Sequence, residues 1–401
     1  MSTTFTVSAA DLYSNAHEIF RRYRPFTPLL RRDDGIYIAI RARDVEQLLT
    51  DPRTRQMETE IARARGVTDG PLLDFLQYTM VLSNGVDHRQ RRLPLTRTFA
   101  QKFINDLRPR VRAIAHELID ARYEAGHMDF IADFANWLPA RAICHILGVP
   151  EADIPDFTRC VYSLSRAFSS TFTKEDVPEM QNAAAELSKY VDDLLTDRRV
   201  RPREDFLTSY AAAVDASGKL LHAESVVQMM TILLGGSDTT RSALAIQTSL
   251  LLQNRDQWNA ICRDPSLIPA AVLECLRYEP SVASVPRVPL DDISLDGCSL
   301  PSGQILSLST LAAMRDPEVY SEPDTFDIRR ADLPRRHLVF GGGVHRCLGE
   351  ALAKIELEEG LLALTQRLPN LAIDGDPIVV RGGSAIRTVT NLRVRWSRAS
   401  T

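Results

Sequence analysis

The sequence predicts a mainly α protein with small β-sheets. Three observations carry this. Apolar residues recur at helical spacing through most of the 401 residues. Alternating, strand-like stretches are confined to positions near 28–40, 283–310 and 371–396. The most apolar long run, Val226 to Leu252, is broken at its centre by "GGSDTTR", so it reads as a helix buried in protein and not as a membrane span. A composition of 44% hydrophobic and 25% charged residues is that of an ordinary globular chain long enough for a sizeable core. No repeat, low-complexity tract or linker divides it, so residues 1–401 read as one domain.

The elements follow in order. Ser8 caps a helix running to Arg24. "GIYIAI", Gly35 to Ile40, alternates as a strand, with "TPLLRR" before it as partner, and Asp44 to Thr50 forms a short helix. Residues 60–86 carry Gly66, Gly70, Pro71 and Gly85 and read as an irregular segment. Its Leu72, Leu73, Phe75, Leu76, Met80 and Leu82 make it a packed lid or pocket wall and not a solvated linker. Helices are expected at 88–98, 101–125, 130–147, 151–168, 174–199, 205–214, 223–253, 255–264 and 266–279. Short strands and turns fill 281–309, and a Pro- and Asp-rich meander leads to "FGGGVHRCLGE". A last helix spans 348–367, and "SAIRTVTNLRVRW" reads as strand.

Charge and cysteine usage exclude some functions. A net charge of −4 argues against nucleic-acid binding. The N-terminal residues have no apolar signal region, so a cytoplasmic protein without a membrane anchor is expected. The six cysteines lack CxxC spacing and read as free thiols. Cys347 differs from the rest, because glycines at 341, 342, 343 and 349 clear bulk around it. A helix starting near Leu348 would point backbone N–H groups at its sulfur, lower its pKa and favour the metal-ligating thiolate. Within the central helix, two adjacent glycines cost about 1 kcal/mol each against alanine, and Asp238 and Thr239 need partners there. Such a locally unfavourable set points to function.

Phe340, Gly343, His345, Cys347 and Gly349 together match the haem-binding loop of the cytochrome P450 family, which the chain resembles from about residue 25 to its end. The family fold is a triangular prism with haem between the long central helix and the Cys-loop helix. The resemblance makes Cys347 the axial metal ligand, with Phe340, Gly341 and Gly349 against the cofactor. Gly235 and Gly236 let the helix pass close to the haem face. Asp238 and Thr239 match the acid and alcohol that deliver protons to dioxygen, and Thr240 is the lesser relay. Glu274 and Arg277, at i and i+3, resemble a buried structural pair; by spacing alone they form only a weak surface pair. The usual third member, an Arg in the meander, is replaced by Thr325, leaving Arg329 or Arg330 to substitute. His88, Arg92, Arg287 and His345 resemble the cations and donors that hold the two propionates. His17, His116, His127, His145, His222 and His337 read as ordinary surface or satisfied histidines.

The implied function is a haem-thiolate monooxygenase that inserts one oxygen atom from O2 into a small-to-medium apolar substrate, hydroxylation foremost. The cofactor is haem b. With no G-x-G-x-x-G after a strand and no cysteine cluster, electrons come from outside. NAD(P)H would supply them through a ferredoxin reductase and a 2Fe–2S ferredoxin, met by a basic face of Arg89, Arg91, Arg346 and Lys354. Thr231, Leu234, Ala283, Val285, Phe168 and Leu82, with Phe172 and residues 384–386, are the expected pocket wall. Arg63 and Arg65 could meet an acidic substrate group. A peroxide-dependent peroxygenase and a non-catalytic haem-thiolate ligand-binding protein remain alternatives; Asp238 and Thr239 favour the monooxygenase.

Overall fold

A computed structural model describes residues 4–99, 106–168, 172–333, 337–383, 386–387 and 389–397. Its principal helices are α1 (Ala9–Tyr23), α2 (Ala42–Thr50), α3 (Gly70–Tyr78), α4 (Gly85–Thr98), α5 (Arg108–Tyr123), α6 (Trp137–Leu147), α7 (Ile154–Ser165), α8 (Val177–Val200), α9 (Phe206–Ser217), α10 (His222–Gln253), α11 (Arg255–Arg263), α12 (Ile268–Tyr278) and α13 (Glu350–Arg367). Strands are β1 (Phe5–Val7), β2 (Leu29–Arg32), β3 (Tyr37–Ala39), β4 (Thr54–Arg55), β5 (His127–Asp129), β6 (Ser284–Pro289), β7 (Ile293–Leu295), β8 (Cys298–Leu300), β9 (Leu306–Ser309), β10 (Ala372–Ile373) and β11 (Arg393–Arg395).

A six-stranded sheet runs β1-β2-β3-β9-β6-β4. β2 pairs antiparallel with β3 in the register Leu30↔Ile38, and β3 pairs parallel with β9. A smaller sheet runs β10-β11-β5, and β7 and β8 form a hairpin. The largest core cluster lies among the helices, and α10 is at its centre, buried along most of its 32 residues. Two smaller clusters back the large sheet. Among the described residues, no helix is long and apolar enough to cross a membrane.

Several expectations are corrected. Residues 60–86 are not irregular throughout: α3 forms because Pro71 suits the first helical turn and Leu72, Leu73, Phe75 and Leu76 bury one face. The helix expected over 130–147 is split, a π turn at Ile131–Ala135 preceding α6. The C-terminal stretch is mostly not strand. Of it only β11 and a bridge from Ile386 to Val282 pair, while positions 384, 385 and 388 lie outside the described residues. Helix α13 begins at Glu350, after Gly349, and not at Leu348.

Candidate functional site

Residues 340–349 form a tight loop ahead of α13. Gly341 (φ +68°) and Gly343 (φ +60°) take the left-handed conformation that turns the chain back. A Cβ at Gly342 would come within 3.2 Å of Leu49. The Cys347 N–H donates to the Phe340 carbonyl at 2.8 Å, which closes the loop and aims the sulfur inward. Arg92 of α4 donates to the Arg346 carbonyl at 2.6 Å and so ties a second element to the loop.

The loop faces a cavity of about 430 Å³ between α10 and α13. Cys347, Phe340, Gly341 and Gly349 border it on one side, and Leu234, Gly235, Gly236, Thr239 and Thr240 on the other. Gly235 is open to it: nothing lies within 4 Å of where a Cβ would stand. The Thr239 hydroxyl donates to the Gly235 carbonyl at 2.9 Å, the back-bond expected of a hydroxyl in a helix interior. Thr231, Val285, Phe168 and Leu82 also line the cavity, with Met80, Ile61 and Ile386. Ala283 does not; it is wholly buried beside the large sheet in a cluster with Leu30, Ile38 and Leu311, although its neighbours Val282 and Ser284 line the cavity. Phe172 is buried in the helical core and is not a wall residue.

Burial holds the Cys347 thiol above the ordinary cysteine range; the Gly349 N–H, Arg92 and Arg346 offset this only in part. The Gly349 N–H and the charges of Arg92 and Arg346 act in the direction expected of the loop, against desolvation.

Four basic groups cluster at the cavity edge. The rings of His88 and His345 lie 3.9 Å apart, and burial holds both neutral, at about 4 and about 3. Arg287 is buried. Its Nη1 donates to Gln56 Oε1 at 3.0 Å and to the Pro286 carbonyl at 2.9 Å, while Nη2 has no partner in the protein. Burial lowers its pKa to about 10, so it stays cationic at neutral pH. A buried cation with a free N–H beside two neutral imidazoles and Arg92 is a built site for carboxylates.

Asp238 does not line the cavity. It turns away, pairing with Arg241 and accepting from Ser165 Oγ at 3.0 Å; Arg241 stacks on the Tyr162 ring at 4.3 Å. The basic face is also smaller than expected. Arg91 is buried and pairs with Glu224 at 2.6 Å, and Arg346 and Lys354 share Glu350, leaving Arg89 outermost. His337 is not an ordinary histidine: it is wholly buried, with neither ring nitrogen hydrogen-bonded, and burial lowers it to about 3.

Glu274 and Arg277 are wholly buried and bidentate, at 2.7 and 2.9 Å. Arg277 also donates to the carbonyls of Met314, Pro323 and Thr325, and Glu274 accepts from Asp327 N. Arg330 supplies the third member, its Nε lying 3.2 Å from Glu274. The meander thus brings its arginine five residues later than the usual position, and Thr325 contributes only its carbonyl.

Sequence reasoning missed Gln56, which orients Arg287, and Glu356, a buried acid on the cavity wall. Gln56 carried no signal. Glu356 carried a weak one, an acid between Ile355 and Leu357 on a core helix.

The family model for cytochrome P450 matches residues 263–369. The chain is 44% identical over 391 residues to the plant-inducible cytochrome P450-pinF1 of Rhizobium radiobacter, covering 98% of this chain and 92% of that one. It is 32% identical to the cytochrome P450 monooxygenase PikC of Streptomyces venezuelae, covering 97% and 92%. A crystal structure of the myxobacterial cytochrome P450 CYP267B1 with myristic acid superposes with a TM-score of 0.88, at 32% identity over 98% of each chain. With its cysteine loop facing the glycine pair of α10 across one cavity, the chain belongs to the cytochrome P450 family, and it is an oxidoreductase of that family of haem enzymes.

Proposed function

We propose that this single-domain protein is a cytoplasmic haem b monooxygenase that hydroxylates a small-to-medium apolar substrate. The observation that carries the reading is the opposition of Cys347 to Gly235 and Thr239 across a cavity edged by His88, Arg92, Arg287 and His345. The residues fit the cofactor: Arg287 Nη2 is a buried donor that lacks an acceptor, and a propionate is one. When bound, haem supplies dioxygen activation, and thiolate ligation favours O–O cleavage.

The chain does the rest. Cys347 would hold the haem iron through its sulfur. Arg287, Arg92, His88 and His345 would hold the two propionates, which would draw the imidazoles toward their charged forms. Gly235 keeps the opposite wall free of a side chain, whereas a Cβ at Gly236 would meet Ile143 at 3.2 Å, so Gly236 makes room for that packing. The Thr239 hydroxyl is a proton relay, and Asp238 recharges it by rotating from Arg241. Leu82, Phe168, Leu234 and Val285 exclude water and orient the substrate by shape. Myristic acid in the CYP267B1 structure supports an apolar substrate. The face around Arg89 receives a 2Fe–2S ferredoxin, itself reduced by NAD(P)H through its reductase.

Oxygen uptake separates this reading from its rivals. Purified protein should consume O2 only when NAD(P)H, ferredoxin and reductase are all present, and Thr239→Ala should divert that uptake to peroxide. Substrate oxidation by peroxide alone, with no uptake from the reductase chain, would identify a peroxygenase. No oxidation by either route would identify a binding protein.

A further inference from the structure

Gln228 of α10 is wholly buried, yet it does not border the cavity. Its side-chain amide makes three hydrogen bonds. Nε2 donates to the Tyr78 carbonyl at 2.8 Å and to the Glu224 carbonyl at 2.9 Å, and Oε1 accepts from the Met80 N–H at 2.9 Å. One turn on, the hydroxyls of Thr79 and Thr231 lie 2.8 Å apart. Thr231 donates to the Val227 carbonyl at 2.8 Å, so Thr79 is the donor between the two. Nearer the start of α10, Glu224 pairs with Arg91, which donates to the Gln77 carbonyl at 3.0 Å. Glu224, Gln228 and Thr231 stand at i, i+4 and i+7 on one face of α10, and the same face carries Gly235 and Thr239 to the cavity. The chain between α3 and α4 forms no helix or strand, so these side chains fix its backbone to α10. Met80 and Leu82 of that stretch are cavity wall.

We propose that Gln228 and Thr79 are positioning residues that set the length of substrate the cavity accepts. They touch no substrate and act through the wall at Met80 and Leu82. This rests on the monooxygenase reading. A wall carried on a free loop yields to a longer ligand. A wall tied by a satisfied, buried polar network keeps one arrangement, at a fixed distance from Gly235 and Thr239. The apolar lining rewards each added methylene up to the wall, and the next one meets packed side chains that cannot give way. Affinity thus comes from the lining, and the cut-off comes from hydrogen bonds outside the cavity.

Imidazoles bearing straight alkyl chains of graded length test this, because the ring nitrogen binds a haem iron and the chain lies in the cavity. Their dissociation constants, read from the Soret shift of the haem-loaded protein, should fall with each added carbon and then rise about tenfold or more beyond one length. Gln228→Met and Thr79→Val should soften that rise to about threefold or less. Thr79→Ser keeps the hydroxyl and should restore it. Neither residue borders the cavity, so a role in stability alone predicts lower melting temperatures with the length profile unchanged. Hydrogen exchange reads the tie itself: the Met80 amide should exchange about tenfold or more faster in Gln228→Met than in wild type. A Soret shift with the wild-type length profile in both Gln228→Met and Thr79→Val, or a Met80 amide that exchanges equally fast in wild type and Gln228→Met, overturns the proposal and leaves the monooxygenase reading intact. No Soret shift with any of the imidazoles overturns that reading, and the proposal with it.

Discussion

Glu274→Ala is expected to destabilise the protein by about 3–5 kcal/mol, the cost of leaving a buried partner charge uncompensated. Both side chains of the pair are fully excluded from solvent. Removing the carboxylate strips Arg277 of its bidentate acceptor, Asp327 N–H of its partner and Arg330 of its counter-charge. Arg277 spans from α12 to the carbonyls of Met314, Pro323 and Thr325, so the damage reaches the meander that leads into the cysteine loop. Haem incorporation should fall with it. Urea midpoints of wild type, Glu274→Ala and Glu274→Gln check this. The glutamine keeps part of the hydrogen bonding and should lie between the other two; an alanine midpoint equal to wild type would remove the bracing role.

Arg287→Leu is expected to act with opposite signs in the two forms of the protein. Without haem, the variant should be at least as stable as wild type, since it removes a buried cation whose Nη2 is unsatisfied. With haem, it loses a charge-assisted bond worth about 1.5–3 kcal/mol, so haem release should accelerate about tenfold to a hundredfold. Haem transfer to an acceptor protein and apoprotein melting curves measure the two halves. A destabilised apoprotein with unchanged haem release would make Arg287 a structural residue only.

Much of this was legible because the relevant signals are local. The fold class follows from helical periodicity, and the break at "GGSDTT" lies within the part of α10, residues 231–243, that faces the cavity. The cysteine loop is legible because glycine is needed wherever φ is positive and wherever Leu49 leaves no room for a Cβ. What stayed hidden depends on long-range placement. Arg330 sits five residues from the expected position, and only the folded meander brings it to Glu274. Arg91 looks like a surface cation in "HRQRR" until Glu224 of α10, 133 residues away, is packed against it. Ala283 stands between cavity-lining neighbours, and only the packing of Leu30, Ile38 and Leu311 beside the large sheet shows that it belongs to the core. Asp238 was expected beside the reacting centre, but spacing cannot foresee that Arg241 and Ser165 hold it on the far side of the helix.

The central claim is that the Cys347 sulfur, as thiolate, ligates the haem iron. The measurement that tests it most directly is the absorption spectrum of the dithionite-reduced protein under CO, for wild type and Cys347→His. The wild type should show the strongly red-shifted Soret band of thiolate ligation, and Cys347→His, if it retains haem, should show the band of histidine-ligated haem. A wild-type band like that of a histidine-ligated haem would contradict the account.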